Sequence, residues 1–338
     1  MTDHPKFQFQ WPFFGNQHII DFLQTNIGNQ SLAHFYIFAG GGDLGKSTLA
    51  NYFARSILCQ SFIDNRGDLP CGECISCQQK NHNDIISIKR EEDKQNISIE
   101  QVRGFIKQMN LGSFGGKYKI GIIKEAEKLS IEAANALLKI LEEPKPGVIL
   151  ILLTSFVDEL PDTIISRGQT LYFKPASTDF IYDYLVNNYK APRDFSRKLA
   201  RLSAGSPAMA VKYFEDKEFL NDYKEDISAL IKLITSDMGE KFVVIEELLK
   251  SSKGSELKNQ VAYLLDTWQK LIRDLLLLNF NLDYLVTNEL ILSELQQVKL
   301  PIDSLVNYNH KIEQGKKYLK ANVNPKIILE NLAVNNSY

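Results

Sequence analysis

The stretch Gly40-Gly41-Gly42-Asp43-Leu44-Gly45-Lys46-Ser47-Thr48 decides the fold, because it fits the phosphate-binding pattern G-x-x-x-x-G-K-[ST]. Glycine lets the backbone turn tightly around phosphate oxygens, and the helix that follows directs its unpaired N–H groups at them. Lys46 is then placed to reach the outer phosphates and Ser47 to ligate Mg²⁺. We therefore predict an ATP site, with Mg²⁺ as a candidate companion, built on Gly40, Gly45, Lys46, Ser47 and Thr48.

The residues on either side of this loop support a nucleotide site. The apolar run Phe35-Tyr36-Ile37-Phe38 precedes the loop, as a buried strand would. Apolar residues recur at helical spacing after it, at Leu49, Tyr52, Phe53 and Ile57. A glycine turn with a purely structural role is the alternative interpretation. The order of strand, glycine loop and helix favours nucleotide binding.

Strand-like and helix-like segments alternate from the loop to Pro175. Strand patterns cover residues 84–89, 118–123, 148–153 and 170–173. Helices are predicted between them, one opened by a capping box at Ser98 and Gln101 and one capped by Ser130. This alternation is typical of an α/β domain with a mostly parallel sheet, which we assign to residues 1–175.

The strand patterns stop after residue 177, and the rest of the chain has helical periodicity. We assign residues 176–220 to a small helical domain and residues 221–338 to an all-helical domain. A wide apolar stripe in the latter comprises Val261, Leu264, Leu265, Trp268, Leu271, Ile272, Leu275 and Leu276. The stripe predicts either an ordinary core or a face that packs on sister subunits.

The four cysteines of the chain lie in one short stretch, at Cys59, Cys71, Cys74 and Cys77. Four thiolates are the ligand set of a closed tetrahedral zinc site, and CxxC spacing lets two sulfurs on one tight turn face a common point. We therefore predict a structural zinc module near residues 59–77, inserted in the α/β domain. Unrelated or redox-active cysteines are the alternative. His82 lies nearby but is superfluous to a complete set of four.

The composition is that of a globular protein without a strong charge. The 338 residues are 44% hydrophobic, and the formal net charge is −2 with a pI near 6.3. A protein that binds nucleic acid alone usually has a basic excess, so we expect DNA contacts only through local patches or an assembly. Residues 1–11 are polar, and no run of about eighteen apolar residues occurs, so we expect a cytoplasmic protein without a membrane segment.

Several further motifs accompany the phosphate loop. In chain order they are Phe14-Gly15-Asn16-Gln17, Ala33-His34-Phe35-Tyr36, Cys71-Gly72-Glu73-Cys74-Ile75-Ser76-Cys77, His82-Asn83-Asp84, Ile99-Glu100-Gln101-Val102-Arg103, Ala134-Asn135-Ala136-Leu137-Leu138-Lys139-Ile140-Leu141-Glu142-Glu143-Pro144 and Ser166-Arg167. With these motifs the chain resembles the bacterial clamp-loader family of AAA+ ATPases, in particular its delta-prime-type subunits of DNA polymerase III. The long block that ends at Pro144 is the most specific of them.

The resemblance implies a subunit of the machine that opens the sliding clamp and places it around primed DNA. It also implies the AAA+ form of the α/β fold, a helical lid at residues 176–220 and a collar domain at residues 221–338. The expected partners are other clamp-loader subunits in a pentameric ring and, through the assembly, the sliding clamp and primer-template DNA. In such a ring Arg167 resembles the arginine finger that reaches into a neighbouring subunit's nucleotide site.

The chain departs from the family pattern after the strand at residues 118–123. An active ATPase of this family has an Asp-Glu pair there, in which Asp positions Mg²⁺ and Glu polarises the attacking water. Lys124 stands at the Asp position and Glu125 at the Glu position, while Glu127 is a further carboxylate two residues on. Ser155 occupies the polar sensor position, and the sensor arginine of the lid is absent from Gly205-Ser206-Pro207-Ala208.

These features lead us to expect a subunit that binds nucleotide with weak or no hydrolysis and donates Arg167 to its neighbour. Glu125 and Ser155 are the other catalytic candidates. An ATP-hydrolysing gamma/tau-like motor subunit is the enzymatic alternative, because the phosphate loop is intact. A standalone zinc-bearing P-loop ATPase is the third interpretation.

Overall fold

The computed structural model describes residues 7–79, 82–91, 94–113, 117–250 and 254–334. The first six residues of the polar N-terminal stretch therefore lie outside the described residues. The chain divides into two units, one of Met1–Ala176 with Ser206–Ala208 and one of Ser177–Gly205 with Met209–Tyr338. No described helix combines the length and the apolar composition that crossing a bilayer requires.

A parallel sheet forms the centre of the first unit. The strands are β1 (Phe7–Phe9), β2 (Phe35–Ala39), β3 (Gly67–Leu69), β4 (Ile85–Ile88), β5 (Lys119–Ile123), β6 (Val148–Thr154) and β7 (Gln169–Tyr172). One sheet has the strand order β4-β5-β6-β2-β7, and each of its pairs is parallel. β1 and β3 form a separate parallel pair. The predicted α/β fold with a mostly parallel sheet is therefore confirmed.

Helices cover both faces of the five-stranded sheet. They are α1 (Gln17–Gly28), α2 (Lys46–Leu58), α3 (Gln60–Ile63), α4 (Ile75–Gln78), α5 (Ile99–Met109), α6 (Ile131–Glu142) and α7 (Asp162–Ile165). The side chains of β2 alternate between two hydrophobic clusters. Tyr36 and Phe38 lie in one cluster. Phe35 and Ile37 lie in the other, which explains why this strand is apolar at each position.

Two helices begin at the predicted caps. Ser98 Oγ accepts the N–H of Gln101 at 3.3 Å, and Gln101 Oε1 accepts the N–H of Ser98 at 3.0 Å. Ser130 Oγ accepts the N–H of Ala133 at 3.1 Å. These bonds satisfy N–H groups that a helix cannot pair within itself, and they confirm the predicted starts of α5 and α6.

The second unit is helical throughout its described residues. Its helices are α8 (Thr178–Tyr189), α9 (Arg193–Leu202), α10 (Pro207–Glu215), α11 (Lys217–Thr235), α12 (Met238–Leu249), α13 (Gly254–Asn279), α14 (Leu292–Leu295), α15 (Ile302–Lys320) and α16 (Pro325–Val334). Short 3₁₀ helices of the two units lie at Ala126–Lys128, Val157–Glu159, Asp283–Leu285 and Glu289–Ile291. The apolar stripe on α13 is buried within the chain from Val261 to Leu275, which confirms its interpretation as core.

Candidate functional site

The phosphate loop connects the carboxyl end of β2 to the N-terminus of α2. Gly40 has a φ of 146° and Gly45 a φ of 82°, a region that only glycine adopts readily. A Cβ on Gly40 would also lie 2.5 Å from Phe173 O. The loop is anchored on the sheet, because Gly40 N–H donates to Thr154 O at 3.2 Å. The backbone therefore requires both loop glycines that the sequence singled out.

Lys46 is the first residue of α2, and its side chain folds over the loop. Its Nζ donates to Gly40 O and to Gly41 O, each at 2.6 Å. Burial lowers the pKa of Lys46 below the ordinary lysine value, while the carboxylates of Glu127 and Asp43 act in the opposite direction. The amine is therefore held at the loop, where the outer phosphates of a nucleotide would need a cation.

The first turn of α2 supplies the rest of the cradle. Ser47 is half-buried there and Thr48 is exposed. The first N–H groups of a helix have no partner within it, and with the positive end of the helix dipole they favour an anion such as a triphosphate. The Ser47 hydroxyl is an oxygen ligand of the kind that Mg²⁺ prefers. The residues of the loop therefore fit a nucleotide with its metal.

Two carboxylates follow β5, and they have different surroundings. Glu125 has a left-handed backbone with φ 53°, and its Oε2 accepts a hydrogen bond from Arg90 Nε at 3.0 Å. Glu127 Oε2 accepts the backbone N–H of Ser155 at 3.3 Å. Ser155 directly follows Thr154, whose carbonyl anchors the phosphate loop. Glu127 therefore lies with the predicted sensor residue beside the loop, whereas Glu125 is paired elsewhere.

Arg90 is a site residue that sequence reasoning missed. Ile88 of β4 pairs in register with Ile123 of β5, so the residues two positions further on meet at the same edge of the sheet. These residues are Arg90 and Glu125. Lys124 directly follows β5 and donates its backbone N–H to Ile88 O of β4 at 2.9 Å. The charged residue just after β4 is visible in the sequence, but its contact with Glu125 can be predicted only when β4 and β5 are known to be neighbouring strands.

Arg167 lies after α7 and shortly before β7. Its Nη1 donates to Thr163 O and its Nη2 to Glu142 Oε1, both at 2.6 Å. The side chain remains 34% exposed. Within the described residues its hydrogen bonds go to α6 and α7, and none goes to the phosphate loop of its own chain. Arg167 is thus anchored on its own chain while part of its side chain remains exposed to solvent.

The sulfurs of the cysteines form one cluster. All four lie within 4.8 Å of one another, and the pairs Cys71–Cys77 and Cys59–Cys74 are each separated by 4.0 Å. Zn–S bonds of about 2.3 Å in a tetrahedron place the sulfurs about 3.8 Å apart, so the spacing fits zinc. A disulfide would need about 2.05 Å. The fold thus brings the predicted ligand set together, without His82, which is absent from the described cluster.

Backbone N–H groups surround two of these sulfurs. Cys71 N–H donates to Cys59 Sγ at 3.3 Å, and Cys74 N–H donates to Cys71 Sγ at 3.4 Å. Burial opposes ionisation of Cys71, but backbone hydrogen bonds from Cys74 and Glu73 bring its pKa to about 6. Burial raises the pKa of Cys59 and of Cys77. A bound divalent cation would offset this cost, because it takes thiolate ligands.

α2 carries the phosphate loop at one end and the cysteine cluster at the other. The helix has 13 residues from Lys46 to Leu58, and Cys59 follows as its C-cap. Arg55 in the last turn donates to Cys77 O at 3.0 Å and to Gln79 O at 3.3 Å. A metal that orders the cluster would therefore hold the far end of the helix that forms the cradle, about 20 Å away.

Comparisons with known proteins find similarity to subunits of DNA polymerase III. The model of the family described as DNA polymerase III, delta subunit, matches residues 15–177. The DNA polymerase III subunit delta' of Bacillus subtilis (strain 168) is 28% identical over 324 residues, which cover 94% of each chain.

Two further relatives have other subunit names. The DNA polymerase III subunit tau of Bacillus subtilis (strain 168) is 34% identical over 167 residues, which are 49% of this chain and 29% of that protein. The DNA polymerase III subunit gamma of Buchnera aphidicola subsp. Acyrthosiphon pisum (strain APS) is 27% identical over 283 residues, which are 80% of this chain and 76% of that one. The first of these similarities is thus limited to half of this chain.

Proposed function

We propose that this chain is a clamp-loader subunit of the DNA polymerase III family and that it acts in DNA replication as a delta-prime-like subunit, because its similarities are to proteins of that family. In this role it helps to load the sliding clamp on primed DNA. It binds ATP at the phosphate loop with weak or no hydrolysis, and it donates Arg167 to the nucleotide of a neighbouring subunit. The alignment with a delta' subunit over 94% of both chains supports this choice of subunit.

The pairing of Glu125 with Arg90 is the observation that carries the proposal of weak hydrolysis. A carboxylate that already accepts a charged hydrogen bond at 3.0 Å is a poor base for the attacking water. Lys124 stands where an active relative would have the Asp that positions Mg²⁺, and its positive charge repels the metal. Ser155 keeps a polar group at the sensor position, which can still position a phosphate. With Glu125 paired and Lys124 in place of Asp, the pocket is suited to nucleotide binding more than to hydrolysis.

Arg167 is the group that we assign to catalysis in the neighbour's site. An arginine supplied in trans stabilises the charge of the transferring phosphoryl group and is worth about 10³ to 10⁵ in rate. The half-exposed guanidinium of Arg167, anchored on its own chain, supports this role. Other clamp-loader subunits in a pentameric ring are then its direct partners. The sliding clamp and primer-template DNA are reached through the assembly, in the cytoplasm.

The remaining parts of the chain have supporting roles in this proposal. Zn²⁺ bound by the four cysteines orders the module near residues 59–77 and has no catalytic part. Residues 1–175 form the AAA+ domain, and the end of the first compact unit at Ala176 supports this boundary. Residues 176–220 serve as the lid and residues 221–338 as the collar through which the ring assembles.

A gamma/tau-like motor subunit is the second candidate. The complete phosphate loop favours it, and so does Glu127, a carboxylate that lies beside the sensor residue. The similarity to proteins named tau and gamma, over 49% and 80% of this chain, also supports it. A standalone P-loop ATPase is less well supported, because the similarity to a DNA polymerase III subunit extends over 94% of the chain.

The experiment that separates these candidates measures ATP turnover by the reconstituted clamp loader with one altered subunit. We expect Arg167→Ala in this chain to lower turnover at the neighbour's site by about 10³-fold or more. Lys46→Ala is expected to abolish nucleotide binding by this chain while most turnover of the complex persists. Arg193→Ala, which removes an exposed arginine of the second unit, serves as the control and leaves turnover unchanged.

The opposite pattern would favour the motor subunit. If Lys46→Ala abolishes turnover of the complex and Arg167→Ala leaves it unchanged, the arginine-donor role is wrong. Titration of the isolated chain with a fluorescent ATP analogue, with and without Mg²⁺, shows separately whether the phosphate loop binds nucleotide at all.

A further inference from the structure

Glu142 is the acidic partner of Arg167 and lies in the motif block that ends at Pro144, to which no role has been assigned so far. It is the last residue of α6, and its Oε1 accepts a hydrogen bond from Arg167 Nη2 at 2.6 Å. The C-terminal end of a helix carries partial negative charge, so a carboxylate there is unfavourable for the helix itself. The position therefore calls for a reason outside α6.

The ion pair between Glu142 and Arg167 contributes too little to folding stability to explain this position. The side chains of Arg167 and Glu142 are 34% and 50% exposed. Ion pairs with this much access to water contribute on the order of 0–1 kcal/mol, because solvent screens them and two long side chains lose rotamer freedom. The hydrogen bond of this pair is short, yet it adds little to the free energy of unfolding. Its main effect is therefore on the orientation of the Arg167 guanidinium.

The pair determines where the guanidinium of Arg167 points. Its two terminal nitrogens are held on opposite partners, Nη1 on the carbonyl of Thr163 and Nη2 on the carboxylate of Glu142. A guanidinium has five N–H donors in a rigid planar fork, so fixing both ends fixes the direction of the donors that remain. A long side chain held in this way has less rotamer entropy to lose when it meets a phosphate.

We propose that Glu142 is a positioning residue for Arg167, which holds the guanidinium in the orientation that meets the phosphates of a nucleotide bound by a neighbouring subunit. This inference rests on the proposed function, because it presupposes that Arg167 acts in trans. Glu142 itself touches no nucleotide. Removing it leaves the finger in place but free to rotate, which costs rate and not binding.

The test measures the steady-state ATP turnover of the reconstituted clamp loader with variants of this chain. We expect Glu142→Ala to lower kcat about tenfold with an unchanged KM, which is a smaller loss than that of Arg167→Ala. Glu142→Gln retains an oxygen that can accept from Arg167, so it should restore part of the rate. Glu143→Ala removes the same charge from the next residue on the helix end and is the matched control with normal turnover.

The double variant Glu142→Ala with Arg167→Ala tests whether Glu142 acts through Arg167. Because Glu142 acts only through Arg167, we expect the double variant to be no slower than Arg167→Ala alone. Thermal unfolding of Glu142→Ala should match that of Glu143→Ala, which separates positioning from a folding defect.

Three outcomes contradict parts of this scheme in different ways. If Arg167→Ala leaves turnover unchanged, the proposed function itself is wrong, and the inference falls with it. If Arg167→Ala is slow but Glu142→Ala behaves like Glu143→Ala, the finger stands and the role of Glu142 is wrong. If Glu142→Ala raises turnover, Glu142 restrains Arg167 and does not position it for catalysis.

Discussion

Among single residues, the two carboxylates after β5 differ in the groups that they contact. Glu125 stands at the position of the water-polarising residue, yet its left-handed backbone brings the side chain to Arg90. Glu127 lies in the 3₁₀ helix Ala126–Lys128 and contacts the N–H of Ser155 beside the phosphate loop. We therefore expect Glu127, and not Glu125, to be the carboxylate nearer to a bound nucleotide.

We predict that Glu127→Gln weakens the effect of Mg²⁺ on nucleotide affinity by about threefold to tenfold, because a nearby carboxylate attracts the cation. Glu125→Gln makes the same change from carboxylate to amide two residues earlier in the chain, and we expect it to leave the effect of Mg²⁺ on nucleotide affinity intact. Titration of the isolated chain with a fluorescent ATP analogue, with Mg²⁺ and with EDTA, measures both. A larger loss in Glu125→Gln than in Glu127→Gln would show that the pairing with Arg90 opens when nucleotide binds.

Among the secondary-structure elements, α2 connects the phosphate loop to the cysteine cluster. Its first turn forms part of the phosphate cradle, and its C-cap is Cys59 of the cysteine cluster. Arg55 secures the far end by hydrogen bonds to the carbonyls of Cys77 and Gln79. Leu69 is the one buried residue in the described segment from β3 to α4, so we expect the order of this segment to depend on what the four sulfurs bind.

We predict that the purified chain contains one Zn²⁺ and that Cys74→Ala loses it, since three thiolates leave the tetrahedral site open. Structural zinc contributes on the order of 10 kcal/mol to local folding, so hydrogen exchange in residues 67–79 should speed up strongly in the variant or after chelation. Ser76→Ala, between two of the ligands, is the control and keeps its metal. Full zinc content in Cys74→Ala would rule out the four-cysteine site.

At the scale of the whole molecule, acidic groups in the second unit influence the pH range of stability. An open cavity of about 680 Å³ is lined by residues of α11, α12 and α13, among them Asp222, Glu225, Asp226, Glu247 and Tyr263. Burial raises the pKa of Asp226 to about 6, and the negative charges of Asp222 and Glu225 act in the same direction. A hydrogen bond from Tyr263 opposes this shift.

We predict that Asp226 lowers the free energy of unfolding of the chain as the pH rises from about 4 to about 6. In this range the folded protein still holds a proton on Asp226 that the unfolded chain has released, so folding is favoured below it and weakened above it. Asp226→Asn removes this loss and should unfold at a higher temperature than the unmodified chain at pH 7, but not near pH 4. Circular dichroism melts across this range measure the difference.

The exposed Asp183→Asn on α8 is the control for that measurement. It should shift the unfolding temperature equally, if at all, at both pH values. Parallel pH profiles of Asp226→Asn and the unmodified chain would contradict the assignment to Asp226.

Much of the fold could be predicted because its signals are local. The apolar run of β2, the cap at Ser130 and the CxxC spacing each lie within a few residues, and each corresponds to the structure. The stripe on α13 was ambiguous, since periodicity alone does not say what covers an apolar face. Its burial within the same chain removes the ambiguity.

The phosphate loop, the alternation of strands and helices and the set of four cysteines were predictable from sequence, because glycine conformation, side-chain periodicity and ligand spacing are properties of short segments. The three-dimensional fold was needed to see that Glu125 pairs with Arg90, that Glu127 accepts from Ser155 and that Glu142 accepts from Arg167. These contacts join residues on different strands and helices. They depend on strand order and register, which bring together groups whose separation along the chain carries no record of the contact.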